Sequence, residues 1–136
     1  MIDSPLLTLI GIALVALVFF AIYVLPMRRS RAERGGTLLY EERCSGRANS
    51  GLGLWLGGNI PNWRISFYER FLVISSVGQT TVPYEEIQSV EYGRQLISKG
   101  IRVRAREPRL DIILFPKEPA KVLELFENKK VRVNRS

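Results

Sequence analysis

Histidine is absent from this sequence of 136 residues, cysteine occurs once and aspartate only twice. The missing imidazole removes the most common general base and the most common metal ligand. The single cysteine, Cys44, cannot form an internal disulfide, and a thiol with no imidazole to activate it is more typical of a small buried side chain. The adjacent acids Glu41–Glu42 and Glu85–Glu86 would point to opposite faces of a strand and would not converge on a substrate. The sequence therefore predicts no catalytic, metal-binding or cofactor-binding residue, and an enzyme using Cys44 is a remote alternative.

Basic residues are also absent from the first 27 positions, where the only acid is Asp3. From Leu6 to Leu25 the sequence is an uncharged apolar run of the length that a helix needs to cross about 30 Å of hydrocarbon. The run is too long for the apolar part of a signal peptide, no basic segment precedes it, and no small-residue cleavage site follows it. We therefore expect a retained transmembrane helix over residues 6–27, with residues 1–5 outside the cell.

All 20 Lys and Arg residues lie after Met27, together with 12 of the 13 acids, so that this part carries a net charge of +8. Basic residues that flank a span stay on the cytoplasmic side. The sequence therefore predicts a single-pass protein of the plasma (inner) membrane, with its N-terminus outside and its C-terminal domain in the cytoplasm. Residues 28–36 are predicted to be a basic juxtamembrane tether. The arginines that determine this topology are Arg28, Arg29, Arg31 and Arg34.

A basic surface attracts anionic partners, which are lipid headgroups or nucleic acid. Nucleic acid is disfavoured here, because the chain has no recognised nucleic-acid motif and the predicted anchor keeps it at the membrane.

Glycines are frequent between residues 45 and 62, in "SGRANSGLGLWLGGNIPN", where they are expected to interrupt regular structure. No Lys-Ser/Thr pair follows the last glycine, so this is not a phosphate-binding loop. Leu54, Trp55 and Leu56 allow two interpretations. They form a loop that dips into the membrane interface, where Trp is favoured, or they pack on the core of their own domain. The second is more usual, because exposed apolar patches are uncommon.

Short strands are predicted over Thr37–Cys44 and again from Trp63 onward. "WRISF" alternates apolar and polar residues, and in "GIRVRARE" Ile101, Val103 and Ala105 alternate with three arginines. After residue 116 the period changes to that of an amphipathic helix, with Pro119 in its first turn. The C-terminal part is therefore predicted to be α+β and mainly β, with six or seven short antiparallel strands in a curved sheet ended by one helix. The basic tail, residues 129–136, is predicted to be flexible.

The runs "RISFYERFLVISS", "TTVPYEEIQSVEY" and "KGIRVRAREPRLDIILFP", followed by a helix beginning "KEPAKVLELF", resemble a pleckstrin-homology-like (PH-like) domain of the bacterial PH or GRAM-like type. The resemblance covers roughly Trp63 to Asn128. It implies a PH-like domain over residues 37–128, a bent and partly open barrel of about seven strands capped by the helix. Family members bind phosphoinositides, other lipids, peptides or proteins. In lipid-binding relatives, basic residues near the first two strands hold the headgroup. Here Arg43, Arg47 and Arg64 are near those strands, without a compact Lys-x-Arg cluster.

Two functions remain open at this point. The first is a non-catalytic, membrane-anchored binding module that contacts anionic lipid headgroups or a partner protein. Its candidate contact residues are Arg102, Arg104, Arg106, Arg43, Arg47 and Arg64. The row from Arg102 to Arg106 could equally be a solvated sheet face paired with an acid such as Glu91. The second function is an interaction subunit of a membrane complex, which would bind its partner by strand addition or beside the helix, without lipid recognition.

Overall fold

A computed structural model describes residues 4–49, 54–57, 62–76, 78–95 and 98–135. The described residues begin with an apolar helix of 24 residues, Ser4–Met27. It consists of α1 (Ser4–Phe19), a π-helical turn (Phe20–Val24) and a 3-10 turn (Leu25–Met27). No residue of α1 is buried against the rest of the protein. The predicted helix is therefore present, and by length and composition it could cross a membrane, although a signal sequence near an N-terminus would look the same.

The segment after the apolar helix contains a helix of its own, α2 (Arg31–Arg34). Ser30 and Glu33 form a capping box at its start. The Glu33 amide donates to the Ser30 hydroxyl (3.3 Å), and the Ser30 amide donates to the Glu33 carboxylate (2.6 Å). The capping box of the S-x-x-E spacing therefore ends the extended segment that starts at Arg28 and begins α2. Residues 28–36, which were predicted to be a tether, thus have a defined local structure.

Nine strands lie in the part of the chain that the structure describes, against the six or seven that were predicted. They are β1 (Leu38–Asn49), β2 (Trp55–Gly57), β3 (Trp63–Tyr68), β4 (Phe71–Ser75), β5 (Gln79–Pro83), β6 (Ile87–Gln95), β7 (Ser98–Ala105), β8 (Leu110–Phe115) and β9 (Val133–Arg135). The two unpredicted strands, β2 and β9, have three residues each. A helix, α3 (Pro119–Asn128), begins at the predicted proline. The α+β, mainly β class is confirmed.

The strands form one sheet in the order β5-β4-β3-β1-β8-β7-β6-β9, with β2 paired to β1. The first half of β1 pairs with β3, and its second half pairs with β8. The inner faces of both halves of the sheet share one core with α3, in which the rings of Phe67 and Phe126 meet edge to face at 5.1 Å. Because both halves enclose the same core, the sheet bends at β1 and α3 covers its inner side.

The C-terminal tail is partly ordered, in contrast to the prediction. Strand β9 pairs in parallel with β6, with Val133 opposite Val90. Val131 is buried, and its amide donates to the carbonyl of Phe126 at the end of α3 (3.0 Å). The two valines of "VRV" supply the apolar side chains for this packing, a signal that is hard to recognise among the basic residues of the tail.

Strand β1 also continues past the predicted interruption, as far as Asn49. Gly46 lies within it under the ring of Trp63, and a Cβ atom at this position would be 2.7 Å from the ring. The glycine therefore makes room for a core side chain instead of ending the strand.

Candidate functional site

Both faces of strand β3 are buried, although its alternating sequence predicted one solvated face. All six residues from Trp63 to Tyr68 are buried. The inner residues face the core, and the outer ones, Arg64, Ser66 and Tyr68, lie under the end of the apolar helix and the segment that follows it. Residues 28–36 are therefore packed on the sheet.

The guanidinium of Arg64 is completely buried between two carboxylates. Its Nη1 atom lies 2.6 Å from Oε1 of Glu33, 3.1 Å from Oε1 of Glu41 and 2.5 Å from the Ser66 hydroxyl. Arg29 adds a second cation, which contacts Glu41 through two hydrogen bonds of 2.5 and 2.9 Å. Two cations and two anions therefore balance in this site, which is the condition for burying a charge.

Tyr68 completes the arrangement by donating its hydroxyl to Oε1 of Glu33 (3.0 Å) and accepting a hydrogen bond from Arg29 (3.2 Å). We call this group the Arg64 cluster. Its members are Arg29, Glu33, Glu41, Arg64, Ser66 and Tyr68. It joins residues 29–33 to β1 and β3.

The sheet also binds the last turns of the apolar helix through main-chain carbonyls. Arg64 donates from Nε to the carbonyl of Pro26 and from Nη2 to that of Arg28. Arg43, on β1, donates to the carbonyl of Ile22 (3.3 Å), and its guanidinium lies 5.5 Å from the centre of the Tyr23 ring. Pro26 is among the last four residues of the helix, whose carbonyls have no partner within it and carry partial negative charge, so an arginine side chain suits this position.

The carboxylates of the cluster are ionised at neutral pH. Burial by itself raises the pKa of Glu33, but hydrogen bonds from Arg64, the Ser30 amide and Tyr68 outweigh it and bring the pKa down to about 2. Burial likewise opposes ionisation of Glu41, and hydrogen bonds from Arg29 and Ser66 leave its pKa below the ordinary value. The cluster is therefore held together by full charges.

A second group of charged side chains lies on the outer face of β7 and β8. Arg102 makes two hydrogen bonds to Asp111, of 3.0 and 2.9 Å, and its guanidinium lies 5.1 Å from the centre of the Trp55 ring. Arg104 is 3.9 Å from the same carboxylate, and Asn49 donates to it at 3.0 Å. We call this surface the arginine face. Its members are Arg47, Asn49, Trp55, Arg102, Arg104 and Asp111. Glu91, the expected acid, is opposite Arg102 in register, but Arg102 donates its hydrogen bonds to Asp111.

Residues 54–56 do not form one apolar tip. Trp55 is opposite Asn49, and Leu56 is opposite Ala48, so that neighbouring side chains point to opposite faces of β2. Trp55 is half-buried beside Arg102, whereas Leu54 and Leu56 are exposed.

The six arginines predicted as contact residues divide into three groups. Arg43 and Arg64 bind the end of the apolar helix, Arg47, Arg102 and Arg104 belong to the arginine face, and Arg106 is exposed just beyond β7. Of the arginines predicted to determine topology, Arg29 is part of the Arg64 cluster and Arg28 offers its carbonyl to it, while Arg31 and Arg34 are exposed on α2.

The sequence did not single out the two carboxylates of the Arg64 cluster, Glu33 and Glu41, as site residues. The S-x-x-E spacing at Ser30 was a signal for Glu33. No comparable signal singled out Glu41.

Cys44 is only 2% exposed, and burial, with a smaller contribution from Glu42, raises the pKa of its thiol to about 12. The thiol is therefore protonated at neutral pH, a state in which cysteine is a poor nucleophile. Among the residues that the structure describes, no three His, Cys, Asp or Glu side chains are grouped as metal ligands would be.

Comparison with known proteins identifies a similar fold but does not assign the chain to a family. No family model matches the chain, and no curated protein matches it. Among solved structures, the chain is similar to the crystal structure of the C-terminal domain of an unknown protein from Leishmania infantum. The two share 12% sequence identity with a TM-score of 0.55, over 85% of this chain and 96% of that one. At this identity the likeness shows the fold alone.

Proposed function

We propose that the protein is a non-catalytic binding module of PH-like fold, held at the cytoplasmic face of the plasma membrane by its N-terminal helix. The observation that carries this proposal is the binding of the helix end by the sheet, through Arg43 at Ile22 and Arg64 at Pro26. Cleavage after the helix, as in a signal peptide, would remove both carbonyl partners. This supports a helix that is retained as an anchor.

The energetic cost of losing those partners supports the same conclusion. A buried polar group left without its hydrogen bond costs about 1–3 kcal/mol, and more when it is charged. Arg64 has no exposed surface while Pro26 covers it, and after cleavage water would replace this carbonyl and offset part of the cost. Because a domain is stable by only about 5–15 kcal/mol, a remaining cost of about 1 kcal/mol would still be a noticeable share of the total.

The sheet supports the PH-like assignment. Seven of its strands, in the order β5-β4-β3-β1-β8-β7-β6, form the bent sheet that the resemblance implies, and α3 covers the core as the expected terminal helix does. Strands β2 and β9 are short additions to this plan. The cytoplasmic orientation is supported by the arginines at residues 28–34, which follow the apolar helix directly.

A binding function is supported over a catalytic one by the state of the ionisable groups. Glu33 and Glu41 are engaged by arginines, and the Cys44 thiol is buried and protonated. The ligand class that fits a basic domain at an anionic leaflet is the lipid headgroup.

A second candidate is an interaction subunit that binds a partner protein. It is favoured by strand β5, which lies at one end of the described sheet. A peptide strand from a partner could add to this edge through main-chain hydrogen bonds.

Two fractionation experiments test the anchor. Alkaline washing of membranes should leave the full-length protein in the pellet, and protease added outside intact cells should leave its C-terminal half undigested. The same protease should digest that half in inverted vesicles. Extraction by the wash, or digestion from outside, contradicts the proposal.

Purification from mild detergent, with both proteins and lipids identified, separates the two candidates. Enrichment of anionic lipids without a stoichiometric protein favours the lipid-binding module. A reproducible partner that crosslinks to β5 in native membranes favours the interaction subunit.

A further inference from the structure

The contacts of the apolar helix show where it leaves the domain. The carbonyl of Arg28 accepts hydrogen bonds from Arg64 on β3 and Gln79 on β5. Six residues earlier, Ile22 is bound by Arg43 on β1. Followed from residue 28 back to residue 22, the chain therefore crosses the sheet from β5 and β3 towards β1 and leaves it there. The next strand in that direction is β8.

The arginine face continues the surface to which the helix end is bound. Glu41 and Arg43 are the β1 side chains that contact residues 22–29, and alternation places Arg47 on the same face of the strand. Arg47 is opposite Ile113 on β8, which is opposite Arg102 on β7.

The bend of the sheet determines which way the arginine face points relative to the apolar helix. Both halves enclose one core, so the outer surface is convex and curves around β1 beyond the point where the helix leaves. None of the residues of α1 is buried, so the helix departs without covering the arginine face. This face is therefore the domain surface next to the place where the helix would enter a bilayer.

The side chains of the face suit the headgroup region of a bilayer. Trp has an apolar body and a polar N–H group and is favoured at this depth. Arginine combines an apolar stem with a planar guanidinium that binds phosphate. Arg102 donates two hydrogen bonds to Asp111, whereas Arg104 approaches the same carboxylate only to 3.9 Å through its buried Nε, and 41% of the Arg104 side chain is exposed.

We propose that the arginine face lies on the anionic lipid headgroups of the leaflet from which the helix emerges, with Trp55 at headgroup depth and Arg47 and Arg104 on lipid phosphates. This inference depends on the anchor of the proposed function. A partner protein covering the face is the competing outcome.

Tryptophan fluorescence provides the test, because the chain has only two tryptophans. Full-length protein with Trp63→Phe retains Trp55 alone and is reconstituted into phosphatidylcholine–phosphatidylglycerol vesicles containing brominated lipid. We expect Trp55 to be quenched most when the bromines are close to the headgroups and less when they are near the ends of the acyl chains. If Trp63→Phe does not fold, the difference in quenching between the wild type and Trp55→Phe reports the same contact.

The contribution of charge is tested by Arg47→Gln combined with Arg104→Gln. The control is Lys117→Gln with Lys121→Gln, which removes two exposed charges from the α3 side of the domain. An arginine near an anionic surface contributes about 1 kcal/mol, so each loss should shift the lipid-contact equilibrium roughly fivefold. We expect the arginine variant to lose the quenching that depends on phosphatidylglycerol, and the control to keep it.

An unquenched Trp55 in phosphatidylglycerol vesicles overturns the inference, and so does quenching that is equal in the two Gln variants. An alkaline wash of the same vesicles distinguishes a failure of the lipid contact from a failure of the membrane anchor. Protein that stays in the vesicles with Trp55 unquenched leaves the anchor standing and refutes only the lipid contact. Protein removed by the wash refutes both.

Discussion

Replacing Glu33 by Gln should destabilise the protein strongly, although the two side chains have nearly the same shape. Gln is compatible with the capping box at Ser30, so the start of α2 is preserved. The loss is the negative charge 2.6 Å from the buried Arg64, and removing one partner of a buried ion pair costs about 3–5 kcal/mol. Glu41 remains 3.1 Å from the same guanidinium nitrogen and offsets part of the loss. We therefore expect a cost near the lower end, about 3 kcal/mol.

The measurement is urea unfolding of full-length protein in mild detergent, followed by tryptophan fluorescence and extrapolated linearly to water. The matched control is Glu127→Gln, which breaks an ion pair with Arg135 at the surface, where the side chains are 48% and 56% exposed. Such a pair contributes at most about 1 kcal/mol. Equal costs for the two substitutions would refute the Arg64 cluster as the link between residues 29–33 and the sheet.

A double-mutant cycle sharpens the result. Arg64→Met should cost several kcal/mol by itself, because it leaves the buried Glu33 with Arg29, at 3.6 Å, in place of its closest cation. Combined with Glu33→Gln, the total should fall well below the sum of the two single costs, because the partners act on each other. Strict additivity would show that Arg64 stabilises through the carbonyls of Pro26 and Arg28 and not through its ion pair.

Two further predictions concern pH and packing. The pKa values of Glu33 and Glu41 are lowered on folding, so their contribution to stability is complete above about pH 4.5 and is lost as the pH falls towards 2. Acid titration of the unfolding free energy should show this loss, and Glu33→Gln should reduce its slope; an unchanged slope would contradict the assignment. Gly46→Ala places a methyl group 2.7 Å from the Trp63 ring and should cost about 1–3 kcal/mol in urea unfolding. Gly78→Ala, which meets no atom within 4 Å, is its control, and equal effects would contradict the proposed steric clash.

The local sequence pattern was sufficient to predict most strands of the sheet. The alternation in "GIRVRARE" correctly predicted that Ile101, Val103 and Ala105 are buried, and Pro83 ends a strand at the sheet edge, as a residue without an amide donor should. Pro119 likewise begins α3. These features depend on residues close together in the chain, which is why the sequence alone reveals them.

The candidate site depends on residues far apart in the chain and could not be predicted in the same way. Alternation in "WRISF" correctly separates Trp63 from Arg64, but it cannot show that a segment more than 30 residues upstream covers the second face. The strand β9 was missed for a similar reason, since three residues at the edge of a basic tail carry little periodic signal.

The clamp formed by Arg43 and Arg64 on Ile22 and Pro26 has a mechanical consequence. Helices in bilayers adjust their tilt to the thickness of the hydrocarbon layer. A helix joined to its domain by a flexible linker would tilt alone, whereas this helix is bound to the sheet, so that in the bilayer proposed above its tilt would rotate the whole domain. We therefore expect thicker and thinner bilayers to present different parts of the domain to the lipid surface, without any change in its internal structure.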